Sequence, residues 1–299
     1  MAEILQIAII VLNYKGLEDT LDCIQSIEKV NKSTYSLKII VVDNASGDGS
    51  SEALSKLKYI EFIASPKNLG YSGGMNLGIE FALKRNANYV ILLNNDTYVD
   101  ENFIENLLKT AKSADIISPK IYFAPGSEFH KGRYKKSDLG RVIWYAGGKI
   151  DWENIIGIHE GVDEIDKGQF KSKKISLATG CCMMVSSEVF KKIGLFDEKY
   201  FLYVEDMDFC YRAHRAGYKI LFSSKSVIWH KNASSAGGSG SELQDYYITR
   251  NRLLFGFKYA KLKTKMALFK SILVISKKDP IKRKALLDFL LFKYGKQNF

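Results

Sequence analysis

The earliest strong pattern in the chain is QIAIIVL, at Gln6–Leu12. This continuous run, rich in β-branched residues, is typical of a central parallel strand that is buried on both faces. The turn Asn13–Gly16 follows it, and Leu17–Val30 then repeats apolar residues with a helical period. A buried strand joined by a short turn to an amphipathic helix predicts the basic unit of an α/β sheet.

The same unit recurs through residues 1–120. Further strands are predicted at Lys38–Val42, Tyr59–Ala64 and Tyr89–Leu93, with helices from Ser51 and over Gly73–Arg85. This alternation predicts a doubly wound, mostly parallel α/β sheet with helices on both faces. Ligands of such sheets bind outside the carboxyl ends of the strands.

The pattern changes after Pro119. Loop-rich stretches at 124–148 and 157–174 accompany short strand patterns at Val142–Tyr145 and Ile175–Leu177. They predict a small, partly antiparallel region on the substrate side, with mobile loops. The last strands are predicted at Lys219–Phe222 and Val227–Trp229. The small residues of Asn232–Glu242 indicate a linker or a lid over substrate, and we favour the lid.

From Leu243 to Phe299 the pattern is helical and strongly basic. Basic amphipathic helices suit an anionic membrane surface, and helices packed on the domain with a solvated lysine face explain the pattern equally well. The predicted organisation is therefore one domain over 1–242, with halves 1–120 and 121–242, and a helical extension over 243–299.

Composition excludes several classes of protein. With 46% hydrophobic and 26% charged residues, the chain has the balance of a soluble globular protein. It lacks a signal-peptide pattern and any apolar run of about 18 residues, so we expect no transmembrane helix. The four cysteines show no CxxC spacing, which argues against a zinc site or disulfides and favours the cytoplasm.

The formal charge of +11 predicts an anionic partner, either a nucleotide, a nucleic acid or a membrane surface. The basic tail contains no motif that reads nucleic acid, so nucleic acid is not expected as a partner. The first strand–helix turn, NYKGLEDT, is neither a dinucleotide fingerprint nor a phosphate-binding Walker loop. A nicotinamide dehydrogenase and a P-loop kinase are therefore disfavoured.

Acidic residues fall where strands are predicted to end. Asp43 and Asp96 each follow a strand, and Glu205 and Asp206 lie in FLYVEDMDFCYRAHR, at Phe201–Arg215. Each alone also fits a turn, or a helix cap with a surface Asp–Arg pair. Together they predict a polar cleft. Asp43 could accept from a nucleoside, and Asp96, with His230 as a further ligand, could hold Mg²⁺ or Mn²⁺ on a diphosphate.

Seven motifs in the same order resemble family 2 glycosyltransferases of the GT-A fold, closest in character to the rhamnosyltransferase-like branch. The motifs span residues 11–231: VLNY (Val11–Tyr14), VVDNASGDGS (Val41–Ser50), NLGYSGGMNLG (Asn68–Gly78), LLNNDT (Leu92–Thr97), TGCCMMV (Thr179–Val185), GLFDEKYFLYVEDMDFCYR (Gly194–Arg212) and WHK (Trp229–Lys231). The resemblance covers residues 5–255 and leaves the tail uncovered.

The resemblance implies roles for residues that match the family's motifs. Asp206 would be the catalytic base, with Glu205 beside it, and Asp96 would stand last in the metal motif. His230 would contact metal or diphosphate. Contacts to the donor nucleotide-sugar are implied for Asn13, Asp43, Asn68, Gly73, Asn95, Asp96 and Arg250. Asn94 replaces the first acid of the motif, which weakens the expectation of tight metal binding.

The predicted reaction is inverting transfer of a sugar from a nucleoside diphosphate, dTDP-rhamnose or a UDP-hexose, to a hydroxyl. The acceptor would be a glycan or a lipid-linked sugar in bacterial surface polysaccharide synthesis, reached from the inner face of the membrane. A nucleotidyltransferase acting on sugar phosphates and a catalytically silent nucleotide-sugar binder are the alternatives, and a homo-oligomer is left open.

Overall fold

The structure is a computed structural model that describes residues 4–32, 34–130, 132–232 and 240–297. Residues 233–239, which belong to the predicted lid, lie outside this part of the chain. The amino-terminal elements are β1 (Leu5–Asn13), α1 (Leu17–Glu28), β2 (Tyr35–Asp43), α2 (Ser50–Ser55), β3 (Glu61–Ala64), α3 (Gly70–Lys84), β4 (Tyr89–Asn94), β5 (Thr97–Val99), α4 (Phe103–Ala111) and β6 (Ile116–Phe123).

The second half of the chain adds short strands, one long strand and the carboxy-terminal helices. These elements are β7 (Ile143–Tyr145), β8 (Gly148–Asp151), β9 (Ile156–His159), β10 (Lys173–Lys174), β11 (Cys182–Ser186), α5 (Ser187–Ile193), α6 (Glu205–Arg215), β12 (Ile220–His230), α7 (Glu242–Tyr259), α8 (Leu262–Ser276) and α9 (Pro280–Leu290). The helices α7, α8 and α9 make up most of the described part of the predicted tail, and residues 291–297 follow α9 as irregular chain.

The central sheet has the strand order β10-β12-β6-β11-β4-β1-β2-β3. Pairing is parallel from β4 through β1 and β2 to β3, and between β6 and β12. The strands β5 and β7 add antiparallel pairs to β12 and β6, while β8 and β9 form a separate antiparallel hairpin. The predicted class, a mostly parallel α/β sheet with a small antiparallel region and a helical tail, is confirmed.

Three details of the second half differ from the sequence prediction. The sequence did not predict β11, which lies antiparallel between β4 and β6 in the middle of the sheet. The two predicted last strands are one strand, β12, with an irregularity between Ser223 and Val227. The segment Ile175–Leu177, predicted as a strand, is irregular and lies beside β8, where the Ser176 and Leu177 amides donate to the Gly148 carbonyl.

Apolar residues of β1 alternate between two cores, one on each face of the sheet. Ala8 and Ile10 belong to one buried cluster, while Ile7, Ile9 and Val11 belong to the other. Burial on both faces explains why the strand is a continuous apolar run, and each such side chain contributes about 1.5–3 kcal/mol when removed from water. The tail shares the first cluster through side chains of α7, α8 and α9. The domain boundary at 242/243 stays a prediction.

Candidate active site

The carboxyl ends of β1 and β2 carry a buried polar network. Asn13 and Asp43 are register partners in the parallel pair, so their side chains meet at the edge of the sheet. The Asn13 amide Nδ2 donates to Asp43 Oδ1 at 2.7 Å and to Ser46 Oγ at 3.0 Å. Asp43 is almost fully buried and also accepts from the Ser46 hydroxyl at 2.5 Å. The network holds both predicted nucleoside contacts in one orientation.

Thr20 extends this network to the turn after β4. Its hydroxyl donates to Asn13 Oδ1 at 2.8 Å and accepts from Asn95 Nδ2 at 3.0 Å. The predicted donor contacts Asn13, Asp43 and Asn95 are therefore joined by hydrogen bonds, although they are far apart in the sequence. Thr20 and Ser46 were not singled out from the sequence.

The glycine-rich start of α3 is held by asparagines and by Phe201. Asn68 Oδ1 accepts from the Gly70 amide at 2.8 Å, and Asn44 Nδ2 donates to Asn68 Oδ1 at 3.2 Å. Gly70 has φ of +70°, and a Cβ there would lie 2.2 Å from the Phe201 carbonyl oxygen. A Cβ on Gly73 would lie 2.7 Å from the Leu69 Cβ. These contacts explain the glycines by close packing, and the predicted donor contacts of Asn68 and Gly73 stay predictions.

Asp96 and His230 form a buried pair at the same edge. Antiparallel pairing of β5 with β12 sets Thr97 opposite His230 and so carries Asp96 to it. His230 Nε2 lies 3.1 Å from the Asp96 carboxylate, while its Nδ1 is buried and has no hydrogen-bond partner among the described residues. His230 packs edge-on against the Trp144 ring, which also contacts His159. Burial lowers the pKa of His159 to about 4, with a further contribution from His230.

The donor set at this pair fits a cation that is held largely by a bound diphosphate. Asp96 and His230 offer one carboxylate and one imidazole, and Mg²⁺ is commonly held by one or two carboxylates together with phosphates and water. In the described part of the chain, no group of three or more His, Cys, Asp or Glu side chains could hold a metal ion. His230 Nδ1, which no described residue contacts by a hydrogen bond, is a buried polar atom of the kind that a site for an additional group leaves.

Glu205 and Asp206 open α6 after a loop of unusual backbone geometry. Phe201, Tyr203 and Val204 all have positive φ, between 64° and 73°. Such backbone conformations in residues other than glycine are costly and cluster at functional sites. They turn the chain so that Asp206 Oδ2 accepts from the Gly180 amide at 2.9 Å and Oδ1 accepts from the Met207 amide at 2.7 Å.

The two carboxyl groups of this pair have unequal surroundings. Burial raises the pKa of Glu205 well above its ordinary value, and the neighbouring Asp206 raises it further. One Glu205 oxygen, Oε2, is buried and has no hydrogen-bond partner in the part of the chain that the structure describes. Burial also raises the pKa of Asp206, which the amides of Gly180 and Met207 partly oppose. Asp206 is half-buried and therefore more accessible than Glu205.

The segment before β11 joins the Asp206 side of the site to the Asp96 side. Because β11 runs antiparallel to β4, its first residues lie at the carboxyl end of β4. Gly180 donates to Asp206, and the next carbonyl, that of Cys181, accepts from the Asn94 amide at 2.9 Å. The charge on Asp96 contributes to the raised pKa of Cys181, after the larger effect of burial. The structure thus brings Asp96 and Asp206 to one edge of the sheet.

Arg250, for which the sequence predicts a diphosphate contact, makes its described contacts within the protein. The residue is fully buried in α7, between the rings of Tyr246 and Tyr247. Its guanidinium donates to the carbonyls of Lys199, Tyr200 and Gly295, and to Asn251 Oδ1. The role as a donor contact stays a prediction, since these contacts instead tie α7 to the loop before α6.

Asp208 also differs from its sequence interpretation as a surface partner of Arg212. The pair exists, with Arg212 Nε donating to Asp208 Oδ2 at 2.6 Å, but Asp208 is fully buried. It also accepts from Lys258 Nζ at 3.0 Å and from the Tyr259 hydroxyl at 2.8 Å. Arg212 and Lys258 keep the pKa of Asp208 below its ordinary value despite burial. The residue anchors α7 to α6.

Comparison with known proteins identifies the family. The model of Glycosyl transferase family 2 matches residues 7–194. A low-salt glycan biosynthesis hexosyltransferase from Haloferax volcanii is 31% identical over 83% of this chain and 74% of its own length. The chain belongs to glycosyl transferase family 2. This membership confirms the predicted activity, inverting transfer of a sugar from a nucleotide-sugar donor.

Other family 2 relatives include rhamnosyltransferases. An N-acetylglucosaminyl-diphospho-decaprenol L-rhamnosyltransferase from Mycobacterium tuberculosis is 24% identical over 67% of this chain and 68% of its own. A dTDP-rhamnosyl transferase from Shigella flexneri is 24% identical over 72% of this chain and 69% of its own. These relatives confirm the predicted likeness to rhamnosyltransferases and the predicted link to surface polysaccharide synthesis.

Solved structures confirm the predicted GT-A fold of this family 2 member. GalNAc-T7 with UDP, GalNAc and Mn²⁺ gives a TM-score of 0.61 at 15% identity, over 97% of this chain but only 56% of that one. A mannosyltransferase from Pyrobaculum calidifontis in complex with GDP-Man and Mn²⁺ gives 0.55 at 12% identity, over 97% and 86%. At these identities the likeness shows the fold alone.

Proposed function

We propose that this family 2 enzyme transfers rhamnose from dTDP-rhamnose, or a hexose from its UDP derivative, to a hydroxyl of a lipid-linked glycan. The observation that carries the proposal is the accessible, pKa-raised Asp206 on the sheet edge that also holds Asp96 and His230. Within the described residues, no helix combines the length and apolarity needed to cross a bilayer. We propose a cytoplasmic enzyme that meets its acceptor at the inner face of the membrane.

The residues divide the reaction between the two sides of the site. The Asn13–Asp43–Asn95 network presents fixed polar groups to the nucleoside of the donor. Asp206 keeps free lone pairs after accepting two amide hydrogens, so it can take the acceptor proton as the oxygen attacks the anomeric carbon. Its raised pKa makes it a stronger base than an ordinary aspartate. Asp206 is favoured over Glu205 because Glu205 is almost fully buried.

A divalent cation would be held by Asp96 and His230 together with the donor's diphosphate. When bound, it would act as a Lewis acid that stabilises negative charge on the leaving diphosphate. The pairing of β5 with β12 sets Asp96 and His230 side by side, so they could bind and orient the cation without rearrangement of the strands. Lys231 follows His230, and its backbone amide fixes the Asp96 backbone by donating to the Asp96 carbonyl at 2.8 Å.

The base assignment is tested by Asp206→Asn. Positioned base catalysis contributes about 10²–10⁴-fold, so turnover should fall at least about 100-fold while nucleotide binding persists. The matched variant is Asp208→Asn, the same change one residue beyond Met207 in the same helix turn. It removes a buried partner of Arg212 and Lys258, so it should lower stability with near-normal turnover at low temperature. Near-normal turnover of Asp206→Asn would remove this residue from the role.

The cation assignment is tested by calorimetry of nucleotide binding. Asp96→Ala should bind the nucleoside diphosphate more weakly than wild type, and Mn²⁺ should no longer strengthen that binding. His230→Gln should lose part of the Mn²⁺ effect, because one of the two protein ligands is removed. A Mn²⁺ effect of wild-type size in Asp96→Ala would contradict the assignment.

A catalytically silent nucleotide-sugar binder is separated from an enzyme by donor hydrolysis. A thermal-shift series with dTDP-, UDP- and GDP-sugars and Mn²⁺ should identify the donor, since a ligand that binds the native state raises the midpoint by mass action. The donor chosen in this way should then be slowly hydrolysed by wild type and not by Asp206→Asn. If wild type binds the donor, does not hydrolyse it and transfers no sugar to an added acceptor, the silent binder would be favoured.

A further inference from the structure

The outer helices of the tail expose large apolar side chains. In α8 the exposed residues include Leu262, at 72%, and Met266, at 65%, and Phe292 after α9 is 78% exposed. The other exposed apolar side chains of these two helices and their ends are Leu273, Val274, Ile275, Leu287, Leu290 and Leu291. Monomeric soluble proteins seldom expose this many large apolar side chains on neighbouring helices, so this surface indicates an interaction site.

The spacing of these residues places them on defined helix faces. Leu262, Met266 and Leu273 are separated by four and seven residues and so share one side of α8. Leu287, Leu290 and Leu291 share one side of α9 by the same rule. The opposite sides hold Leu268, Ile272, Leu286 and Phe289, which are buried in the core that the tail shares with the α/β domain. The exposed faces are therefore left over after the helices have packed.

Charge is concentrated on the same segment. The 57 residues from 243 to 299 carry 14 of the chain's 44 lysines and arginines but only 3 of its 33 acids, a net charge of +11. The remaining 242 residues carry 30 of each sign and are neutral. Within the tail, Asp279 caps α9 through the Lys282 amide, and Asp288 binds Lys284 and Tyr246. Several exposed lysines of α8 lie beside the apolar residues: Lys261, Lys263, Lys270 and Lys277.

We propose that the exposed face of α8 and α9 docks on an anionic lipid bilayer, with the apolar side chains in the interface and the lysines at the headgroups. Amphipathic helices with a basic polar side bind membranes in this way. A second copy of this chain fits the face poorly, because two tails that each carry a net charge of +11 would repel. The inference deepens the proposed function, because docking would bring the active site to a lipid-linked acceptor.

The test measures binding of the full-length protein to vesicles. Sedimentation with phosphatidylglycerol–phosphatidylcholine vesicles should recover the protein, and sedimentation with phosphatidylcholine alone should not. The apolar contribution is tested by Met266→Glu with Leu273→Glu, which should weaken the partition coefficient at least about tenfold. The charge contribution is tested by Lys263→Gln with Lys270→Gln. Each substitution should lower the partition coefficient on anionic vesicles roughly fivefold. Tyr59→Glu is the control, since it places an acid at a half-exposed aromatic outside the tail.

Two outcomes would overturn the proposal. One is equal recovery with neutral and anionic vesicles, and the other is unchanged binding in both double variants. Sedimentation equilibrium without lipid is run on the same samples, and a dimer that the Met266→Glu, Leu273→Glu variant abolishes would assign the face to a second copy instead. Donor-induced thermal stabilisation is measured in parallel. If no donor stabilised the wild-type protein, the proposed function would be contradicted, while the result on vesicle binding would still hold.

Discussion

Glu205 shows how the site holds a charged residue at a cost to stability. Its Oε2 is buried with no hydrogen-bond partner within the described ranges, and its pKa is raised by burial and by Asp206. The ionised form is therefore disfavoured in the native state relative to the unfolded chain. The native state keeps its proton to a higher pH, so this residue lowers stability progressively as pH rises from the unfolded pKa, about 4.3, through the raised native value.

We predict that Glu205→Gln stabilises the protein at pH 7.5, by about 1–2 kcal/mol, and has little effect at pH 4.5. The glutamine is neutral at both pH values, whereas keeping a buried glutamate costs stability only above its unfolded pKa, because the unfolded chain ionises there more readily than the native state. Urea unfolding at the two pH values measures the difference. Glu188→Gln, at an exposed residue paired with Lys191, is the control and should show no such pH dependence. An equal effect of Glu205→Gln at both pH values would contradict the interpretation.

The raised pKa of Asp206 gives a second prediction at this scale. The base must be ionised, so kcat/KM should fall as pH drops through the coupled titration of Asp206 and Glu205. We expect this acidic limb to lie above the ordinary aspartate pKa of about 3.9. The pH profile of donor turnover measures it, with stability checked at each pH. A flat profile down to pH 4 would exclude a buried, pKa-raised carboxyl group as the base.

Some of the site residues were predictable one at a time and others were not. Asp43 and Asp96 follow strands whose apolar runs are plain in the sequence, so their place at the sheet edge could be inferred. Arg250 was assigned a diphosphate contact by resemblance, but its guanidinium lies among backbone carbonyls. Only tertiary packing decides which carbonyls a buried arginine meets. The sequence around Gly180 did not indicate that its backbone amide donates to Asp206.

At the scale of elements, α7 holds the loop that presents Asp206. Asn251 Nδ2 is within 2.9 Å of the carbonyls of Tyr200, Leu202 and Tyr203, in a loop that contains three residues of positive φ. Without these contacts the backbone would relax toward more favourable φ values. Asn251 is thus a positioning residue that acts through the loop, although it lies 45 residues after Asp206 in the chain.

We predict that Asn251→Ala lowers kcat about tenfold with little change in the donor KM, because the proposed nucleoside contacts lie on other elements. It should also lower stability by about 1–3 kcal/mol, since buried carbonyls lose their donor. Steady-state kinetics separates kcat from KM. Arg252→Ala is the matched control, because Arg252 also donates to carbonyls from α7, but to those of Ile155 and Asn154. Equal loss of kcat in both variants would mean a general loss of structure.

The sheet shows what the sequence could not predict at this scale. The strands β1 to β4 each contain an apolar run, and they were predicted with boundaries within a few residues. The strand β11 was missed because CMMVS is short and follows glycine and cysteine without alternation. Its antiparallel direction comes from pairing with β4 and β6, which are distant in sequence. That direction places Gly180 next to Asp206, so the missed strand completes the site.

For the whole molecule, the separation of charge predicts two kinds of salt dependence. The α/β part is neutral, and the residues proposed to contact the donor are mostly buried at the sheet edge, where screening by salt is weak. The tail carries the entire net charge, and many of its lysines are exposed. Salt screens such charges strongly, because the Debye length falls from about 30 Å at 0.01 M to about 8 Å at 0.15 M. One protein should therefore bind two anionic partners with different responses to ionic strength.

We predict that raising KCl from 50 to 500 mM weakens vesicle binding at least about tenfold and changes donor affinity by less than about threefold. Both are measured on the same preparation, by sedimentation with anionic vesicles and by calorimetry with nucleotide-sugar and Mn²⁺. The Lys263→Gln, Lys270→Gln variant should show a shallower salt response for vesicles and an unchanged one for the donor. If vesicle binding were insensitive to KCl, the lysines would not be at the headgroups. If donor binding were as sensitive as vesicle binding, the donor would be held by the basic tail and not by the cleft at Asp96.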